Sequence, residues 1–229
     1  DNIDLAAADR AGIRICRAVG ANARGVAELT IGLLLALARS IPYTDHCLKK
    51  GLWERRMGFE LQGKNLGLIG CGKIGSLVAR IAIALDMTVI AYDPYPVESE
   101  EENNRPRHTG LDEVLRTSDV ISLHCPSQPG KKALIDSSTL SQMKAGVYLI
   151  NTARADLFNQ KDVFAGLESG QIAGLAVDVF ETEPPIDEML VAHDKVIATS
   201  HIGGYTTESV DRATNEAVDN LLAALAVVS

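Results

Sequence analysis

Three kinds of side chain that can grip an anion or move a proton stand just past apolar, strand-like runs in the second half of the chain. Arg154 follows Val147-Tyr148-Leu149-Ile150-Asn151-Thr152-Ala153. Asp178, Glu181 and Glu183 cluster after Ala176-Val177. His201 follows Val196-Ile197-Ala198-Thr199-Ser200 and precedes Gly203-Gly204. The planar fork of an arginine clamps a carboxylate or carbonyl. A histidine gives or takes a proton near neutral pH. A carboxylate beside an imidazole orients it and favours its charged acid form. Together these groups make an acid–base set suited to reducing a carbonyl. Singly, each has a plainer reading: a surface ion pair for Arg154, a solvated turn before Pro184-Pro185 for Glu183, a capping residue for His201. Their joint arrival at strand ends is what gives them weight.

A second motif upstream says what they would work on. Gly70-Cys71-Gly72-Lys73-Ile74-Gly75 stands between an apolar run, Leu66-Gly67-Leu68-Ile69, and a helical stretch, Leu77–Leu85. The next apolar run, Thr88-Val89-Ile90-Ala91-Tyr92, closes on Asp93. Strand, glycine turn, helix, strand and terminal acid is the order of a dinucleotide-binding βαβ unit. Gly70 allows the tight turn, Gly72 lets backbone approach a pyrophosphate, and Gly75 lets helix and sheet pack closely. The first N–H groups and positive dipole end of the helix then face the phosphates. Asp93 can accept from both ribose hydroxyls, and its charge would repel a 2′-phosphate, which favours NAD over NADP. A glycine turn alone is common punctuation. A methyltransferase also uses a glycine turn and an acidic strand end, so the downstream residues must decide.

The elements that would position these groups alternate after Asn65. Strand-like runs are Leu66–Ile69, Thr88–Tyr92, Val120–His124, Val147–Ile150, Gly174–Val179 and Val196–Ala198. Helix-like segments between them are Ile74–Leu85, Leu111–Arg116, Ser138–Lys144 and Lys161–Glu168, with caps expected at Asn159 and at Ser137 or Ser138. Strands apolar throughout imply a parallel sheet covered on both faces. The expectation is an α/β, doubly wound parallel sheet with its ligand over the carboxyl ends of the strands. Residues 26–40 are apolar nearly all round, so that helix is either a central core helix or one shared with another subunit or domain. The last helix, Glu208–Ala226, gathers Val210, Ala213, Ala217, Leu221, Leu222 and Leu225 on one side and needs an apolar surface. The acidic run Glu98–Glu102 reads as a solvated loop.

The 229 residues can bury a sizeable core, and the 46% hydrophobic and 23% charged content is ordinary for a globular protein. A net charge of −8 argues against a nucleic-acid or anionic-membrane partner. The longest apolar run, Leu29–Ala38, is too short to span a bilayer. Cys16, Cys47, Cys71 and Cys125 lack zinc-ligand spacing and read as free thiols of a reducing cytosol, hence a cytoplasmic protein without a bound metal.

The motifs taken together resemble the D-isomer-specific 2-hydroxyacid dehydrogenase family, most closely its D-3-phosphoglycerate dehydrogenase branch. The matching stretches are Asp1–Asp4, Val26–Thr30, Leu61–Gly75, Leu123-His124-Cys125-Pro126, Asn151-Thr152-Ala153-Arg154, Asp178–Pro184 and His201–Gly204. The resemblance implies that Arg154 binds substrate, Glu183 is the catalytic glutamate and His201 the acid–base histidine. It implies that Asp178 holds the nicotinamide carboxamide, that Lys73 and Ile74 lie along the pyrophosphate, and that Asp93 meets the adenosine ribose. Within the same motifs, Gly70, Gly72, Gly75, His124, Pro126, Thr152, Ala153 and Gly203 would complete the cofactor site, with Arg154 and His201 beside the nicotinamide.

The resemblance further implies reversible oxidation of a D-2-hydroxy acid to a 2-oxo acid with NAD, in a homodimer contacting through helix 26–40. Residues 1–204 would be the NAD-binding domain, with 22–60 as dimerisation helix and arm. Residues 205–229 would be a helix packing on a substrate-binding domain. Most of that domain precedes, in the family, the motif matched by Asp1–Asp4. The chain alone is therefore expected to bind cofactor without appreciable turnover. Ala155-Asp156 after Arg154, Phe158-Asn159, Ser200 and Gln128 depart from the family pattern and bear on substrate identity rather than reaction class. A non-catalytic NAD-binding sensor or interaction module of the same family is the competing reading.

Overall fold

A computed structural model describes residues 3–95, 105–127, 130, 132–186 and 188–226. The acidic run Glu98–Glu102 and the departure at Gln128 lie outside the described residues. Three helices come first: α1 (Leu5–Arg10), α2 (Ala23–Arg39) and α3 (Ile41–Lys49). Then follow β1 (Asn65–Ile69), α4 (Lys73–Ala84), β2 (Thr88–Tyr92), β3 (Arg107–His108), α5 (Leu111–Thr117) and β4 (Val120–Leu123). After these come α6 (Ser137–Leu140), β5 (Val147–Asn151), α7 (Gln160–Ser169) and β6 (Ile172–Val177). The chain closes with α8 (Glu188–Val191), β7 (Val196–Ala198) and α9 (Thr207–Ala226).

The strands form one parallel sheet in the order β3-β2-β1-β4-β5-β6-β7. The sheet starts at β1, winds outward to β3, then returns to β4 and winds the other way. The crevice between β1 and β4 is therefore the topological switch point, where such sheets bind ligands. Register carries this to individual residues. Ile69 pairs with Tyr92 on one side and Leu123 on the other. Leu123 pairs with Asn151, Asn151 with Val177, and Val177 with Ala198. The residues that follow these pairs, Asp93, Gly70, His124, Thr152, Asp178 and Thr199, therefore stand in a row along one rim of the sheet.

Apolar cores lie on both faces, as strands without polar alternation require. One contains Leu34, Leu66, Leu68 and Val78 under α2 and α4. The other contains Leu115, Ile121, Leu167 and Leu175 under α5 and α7. Helix α2 is a core helix of its own chain: Leu33, Leu34, Leu37 and Ala38 are buried, while Leu35 and Gly32 are exposed. It ends at Ser40, which adopts the left-handed conformation before Pro42 opens α3.

Several boundaries differ from those the sequence suggests. The cap of α6 is Asp136 rather than Ser137 or Ser138: its carboxylate accepts from Ser138 N and Thr139 N, and Thr139 Oγ1 accepts from Asp136 N. That helix also stops at Leu140: Gln142 N and Met143 N donate three residues back, and Gln171 Nε2 donates to the carbonyls of Leu140, Met143 and Lys144. Strand β6 runs two residues earlier than expected, since Gly170, at φ +79°, ends α7 immediately before it. Asn159 caps α7 as expected, accepting from Asp162 N at 3.1 Å. Strand β3 and helices α1, α3 and α8 carry too little periodicity to be read in advance.

Helix α9 does not bury its apolar side against the described chain. Val210, Leu221, Leu222 and Leu225 are exposed. Polar contacts to the segment after α1 hold it instead: Arg14 Nη1 donates to Ala224 O, and Val19 N to Glu216 Oε1. Among the described residues, no single helix is long and apolar enough to cross a membrane. All four cysteines are free thiols.

Candidate active site

The glycine turn is built by close approach at two positions. Gly70 has φ +94°, a left-handed conformation that favours glycine, and a Cβ there would lie 2.6 Å from His124 C. A Cβ on Gly75 would collide with Gly70 O. Gly72 is different. Its φ is −75°, and a Cβ would meet nothing within 4 Å. The space beside it is open, and Gly72 caps α4 without a side-chain hydrogen bond. The first intrahelical bond runs from Ser76 N to Gly72 O at 3.0 Å. The N–H groups of Lys73, Ile74 and Gly75 therefore stand at the open helix end, where an anion such as a pyrophosphate fits.

Asp93 sits across this turn. Its Oδ2 accepts from Cys71 N at 2.7 Å and its Oδ1 from Tyr95 N at 2.8 Å. A carboxylate has about four lone-pair sites, so two remain for a pair of ribose hydroxyls. The Lys73 ammonium donates to Val19 O at 2.8 Å. The Ile74 side chain packs toward the core, leaving its backbone N–H as what it can offer a ligand. His124 is half-buried, but its Nδ1 is sealed and without a hydrogen-bond partner, while Nε2 lies 2.9 Å from Ser122 Oγ. Burial pulls its pKa down to about 4, so the ring is neutral at physiological pH. The open helix end is a feature that a bound dinucleotide would satisfy. Cys125, the next residue, is an unreactive thiol: burial, with lesser help from the Asp156 and Asp93 charges, pushes its pKa up to about 11.

Past β5 the chain turns tightly. Asn151, 1% exposed, donates from Nδ2 to Arg154 O at 2.8 Å and accepts at Oδ1 from Ala153 N at 3.0 Å. Thr152 Oγ1 lies 2.9 Å from Thr30 Oγ1 of α2. Arg154 is exposed, and its Nη1 donates to Ala153 O at 2.7 Å. Asp156, an exposed residue of the following short 3₁₀ turn, accepts from Ser127 Oγ at 2.6 Å. Pro126 is exposed on the neighbouring loop.

Past β6 and β7 a buried carboxylate organises the histidine. Asp178, 1% exposed, accepts from Thr199 Oγ1 at 2.7 Å, Ile202 N at 2.8 Å and Gly203 N at 2.8 Å. About one of its lone-pair sites remains. These bonds clamp the turn in which His201 sits at φ +54°. A left-handed non-glycine residue costs on the order of 1–2 kcal/mol and persists only where its surroundings impose it. His201 Nδ1 lies 2.9 and 2.8 Å from the two Glu183 oxygens. A carboxylate only accepts, so Nδ1 carries a proton and Nε2 is turned away, free to exchange one.

Burial raises the Glu183 pKa, but hydrogen bonds from His201 and from Phe180 N, and the charges of His201 and Arg154, outweigh it and hold the group below the usual carboxylate range. The sign follows. A depressed native pKa adds stability that is complete above the unfolded pKa and lost as pH falls through the native one. Glu183→Gln should therefore cost a small amount of stability above the ordinary glutamate range, and the deficit should shrink as pH falls through that range. Denaturant melts of both forms across that range measure it. A deficit that grows on acidification would contradict the pairing.

The structure thus brings Arg154, Glu183 and His201 together on one rim, beside Asp178, Thr152, Ala153 and Gly203 and across from the glycine turn and Asp93. Sequence reasoning missed Asn151, Thr199 and Thr30. An asparagine at a strand end before a turn is a signal for Asn151; the other two act through partners far away in sequence. Among the described residues, no group of three or more metal-ligating side chains converges.

Comparison with known proteins agrees with this geometry. A family model described as D-isomer specific 2-hydroxyacid dehydrogenase, NAD binding domain, matches residues 31–203. A hydroxypyruvate reductase of Thermotoga maritima is 40% identical over 233 residues, covering 99% of this chain and 75% of its own. A D-3-phosphoglycerate dehydrogenase of Methanocaldococcus jannaschii is 42% identical over 212 residues, and the chain spans only 40% of its length. The crystal structure of D-lactate dehydrogenase from Aquifex aeolicus, complexed with NAD and lactic acid, superposes with a TM-score of 0.87 at 33% identity, covering 98% of this chain and 73% of that one.

Proposed function

This chain belongs to the D-isomer specific 2-hydroxyacid dehydrogenase family and carries its NAD-binding domain, and from that premise we propose that it serves the NAD-dependent interconversion of a D-2-hydroxy acid and its 2-oxo acid. The observation that carries the reading is the His201–Glu183 pair, 2.8 Å apart at the carboxyl rim of the sheet, with Arg154 on the adjacent strand end. NAD, when bound, accepts or returns the hydride. Arg154 grips the substrate carboxylate with its planar fork. His201 Nε2 takes the hydroxyl proton as the alcohol is oxidised and returns it when the oxo acid is reduced. Glu183 accepts from Nδ1–H and so fixes the tautomer and orientation of the ring. Asp178 would hold the nicotinamide carboxamide through its remaining lone-pair site, and Thr152, Ala153 and Gly203 would line the same end. Likeness to a D-3-phosphoglycerate dehydrogenase makes a phosphoglycerate-like pair the first substrate to try.

The full-length protein with NADH and a panel of 2-oxo acids tests the reaction; no NADH consumption with any of them would sink it. The cofactor half is testable on the chain itself. Two like charges about 4 Å apart repel by roughly 1 kcal/mol in water and roughly 4 near a protein surface. Asp93 should thus give NADH at least a ~5-fold advantage over NADPH. Asp93→Ser should erase most of it, as read by NADH and NADPH fluorescence titration; an unchanged preference would remove Asp93 from the ribose site.

The assembly reading also remains a proposal. Residues 1–204 form the cofactor-binding part, and α9 offers its exposed leucines to a substrate-binding domain. A cytoplasmic homodimer forms through the exposed stripe of α2 and the arm after it, where Leu48, Leu52, Trp53 and Met57 are exposed. Light scattering on the full-length protein distinguishes a dimer from a monomer.

A further inference from the structure

We propose that Asn151 is a positioning residue: its buried side chain fixes the turn at the end of β5 and so sets the backbone that carries Arg154 on the same rim as the His201–Glu183 pair. The inference rests on the reading of Arg154 as the substrate-binding arginine. Asn151 is the last residue of β5, wedged between Leu123 of β4 and Val177 of β6, and its carbonyl accepts from Asp178 N at 3.0 Å. It is thus anchored on the strand that also presents the clamp of the histidine turn. Its amide spans the turn completely. Oδ1 takes the Ala153 N–H and Nδ2 gives to Arg154 O. Only this orientation of the amide pairs a donor with an acceptor at both ends.

Arg154 O also accepts from Leu157 N at 3.3 Å, so both sides of that carbonyl are held. The guanidinium depends on the same backbone, because its Nη1 rests on Ala153 O. From the other side, Thr152 is tied to Thr30, so the turn is gripped by the sheet and by α2. No other side-chain type does this. Aspartate lacks the donor for Arg154 O, serine is too short, and glutamine is one carbon too long for the turn.

Among the described residues, the groups that lower the Glu183 pKa are His201, the Phe180 N–H and Arg154. The titration of Glu183 therefore reports where the Arg154 charge stands, in this chain and without turnover. The experiment follows the Glu183 side-chain carboxyl by NMR in the parent, in Arg154→Met and in Asn151→Ala. The His201 ring signals and the amide spectrum report that the rest of the site is intact. Asn151→Ser replaces Asn151→Ala should the latter not fold. The expected result is an upward shift in Arg154→Met and most of the same shift in Asn151→Ala. A shift in Arg154→Met alone overturns the positioning role and leaves the reading of Arg154 standing. No shift in either variant overturns both.

Discussion

Replacing His201 by Asn should lower turnover in the full-length protein by about 10²–10⁴-fold, the range that positioned general acid–base catalysis contributes, with little change in the Kd for NADH. The choice of Asn matters. His201 sits at φ +54°, and Asn is one of the few residues that enters this region readily. The turn clamped by Asp178 should therefore survive, and only the proton-carrying ring is removed. The amide cannot take a proton at neutral pH, so hydride transfer loses its partner step. Steady-state rates with a 2-oxo acid and NADH, together with NADH binding, measure both halves. The same variant separates the two readings of the family. A sensor module would keep its partner binding without His201, whereas an enzyme loses its rate. Turnover within threefold of the parent would remove His201 from the proton path.

That prediction needs distances no sequence provides, although the residues in it were legible. The glycine turn, Asp93, Arg154 and His201 stand out because each lies next to an apolar run, and a parallel sheet brings the carboxyl ends of such runs to one rim; Glu183 is separated from Glu181 only by the family resemblance. Register then does the assembling: Ile69, Tyr92, Leu123, Asn151, Val177 and Ala198 pair across the sheet, so their successors meet. What stayed hidden depends on side chains reaching across turns. Asp178 reads as a nicotinamide contact, yet three of its hydrogen bonds go to the histidine turn some twenty residues on. Thr30 meets Thr152 from a helix 122 positions earlier. Neither contact leaves a local pattern. The Asp136 cap was missed for the opposite reason: two serines beside it offered an equally good local signal. Strand β3, two exposed residues at the sheet edge, has no apolar run to announce it.

Gly72 and Gly75 should separate binding from stability, although both belong to one motif. A Cβ on Gly72 meets nothing within 4 Å, and its φ of −75° suits any residue. Gly72→Val should still fold, at a cost of about 1 kcal/mol, because valine is a poorer helix N-cap than glycine. The added methyls would instead occupy the space through which a pyrophosphate reaches the first N–H groups of α4. Each charge-assisted hydrogen bond lost there is worth about 1.5–3 kcal/mol, so NADH affinity should fall by about 10–100-fold for the first bond alone. Gly75→Ala has the reverse character. Its Cβ runs into Gly70 O, a backbone atom held by the Gly70 N–H to Tyr92 O bond at 2.8 Å and by the wall of His124. Neither side can yield without opening the turn. Overpacking of this kind costs about 1–3 kcal/mol, which in a chain of this size lowers the Tm by roughly 2–12 °C. Thermal melts and NADH fluorescence on the two variants give the four numbers needed. If Gly72→Val bound NADH as tightly as the parent, the pyrophosphate would have to lie away from the start of α4. If Gly75→Ala melted with the parent, α4 would not rest on the glycine turn as closely as Gly70 O implies.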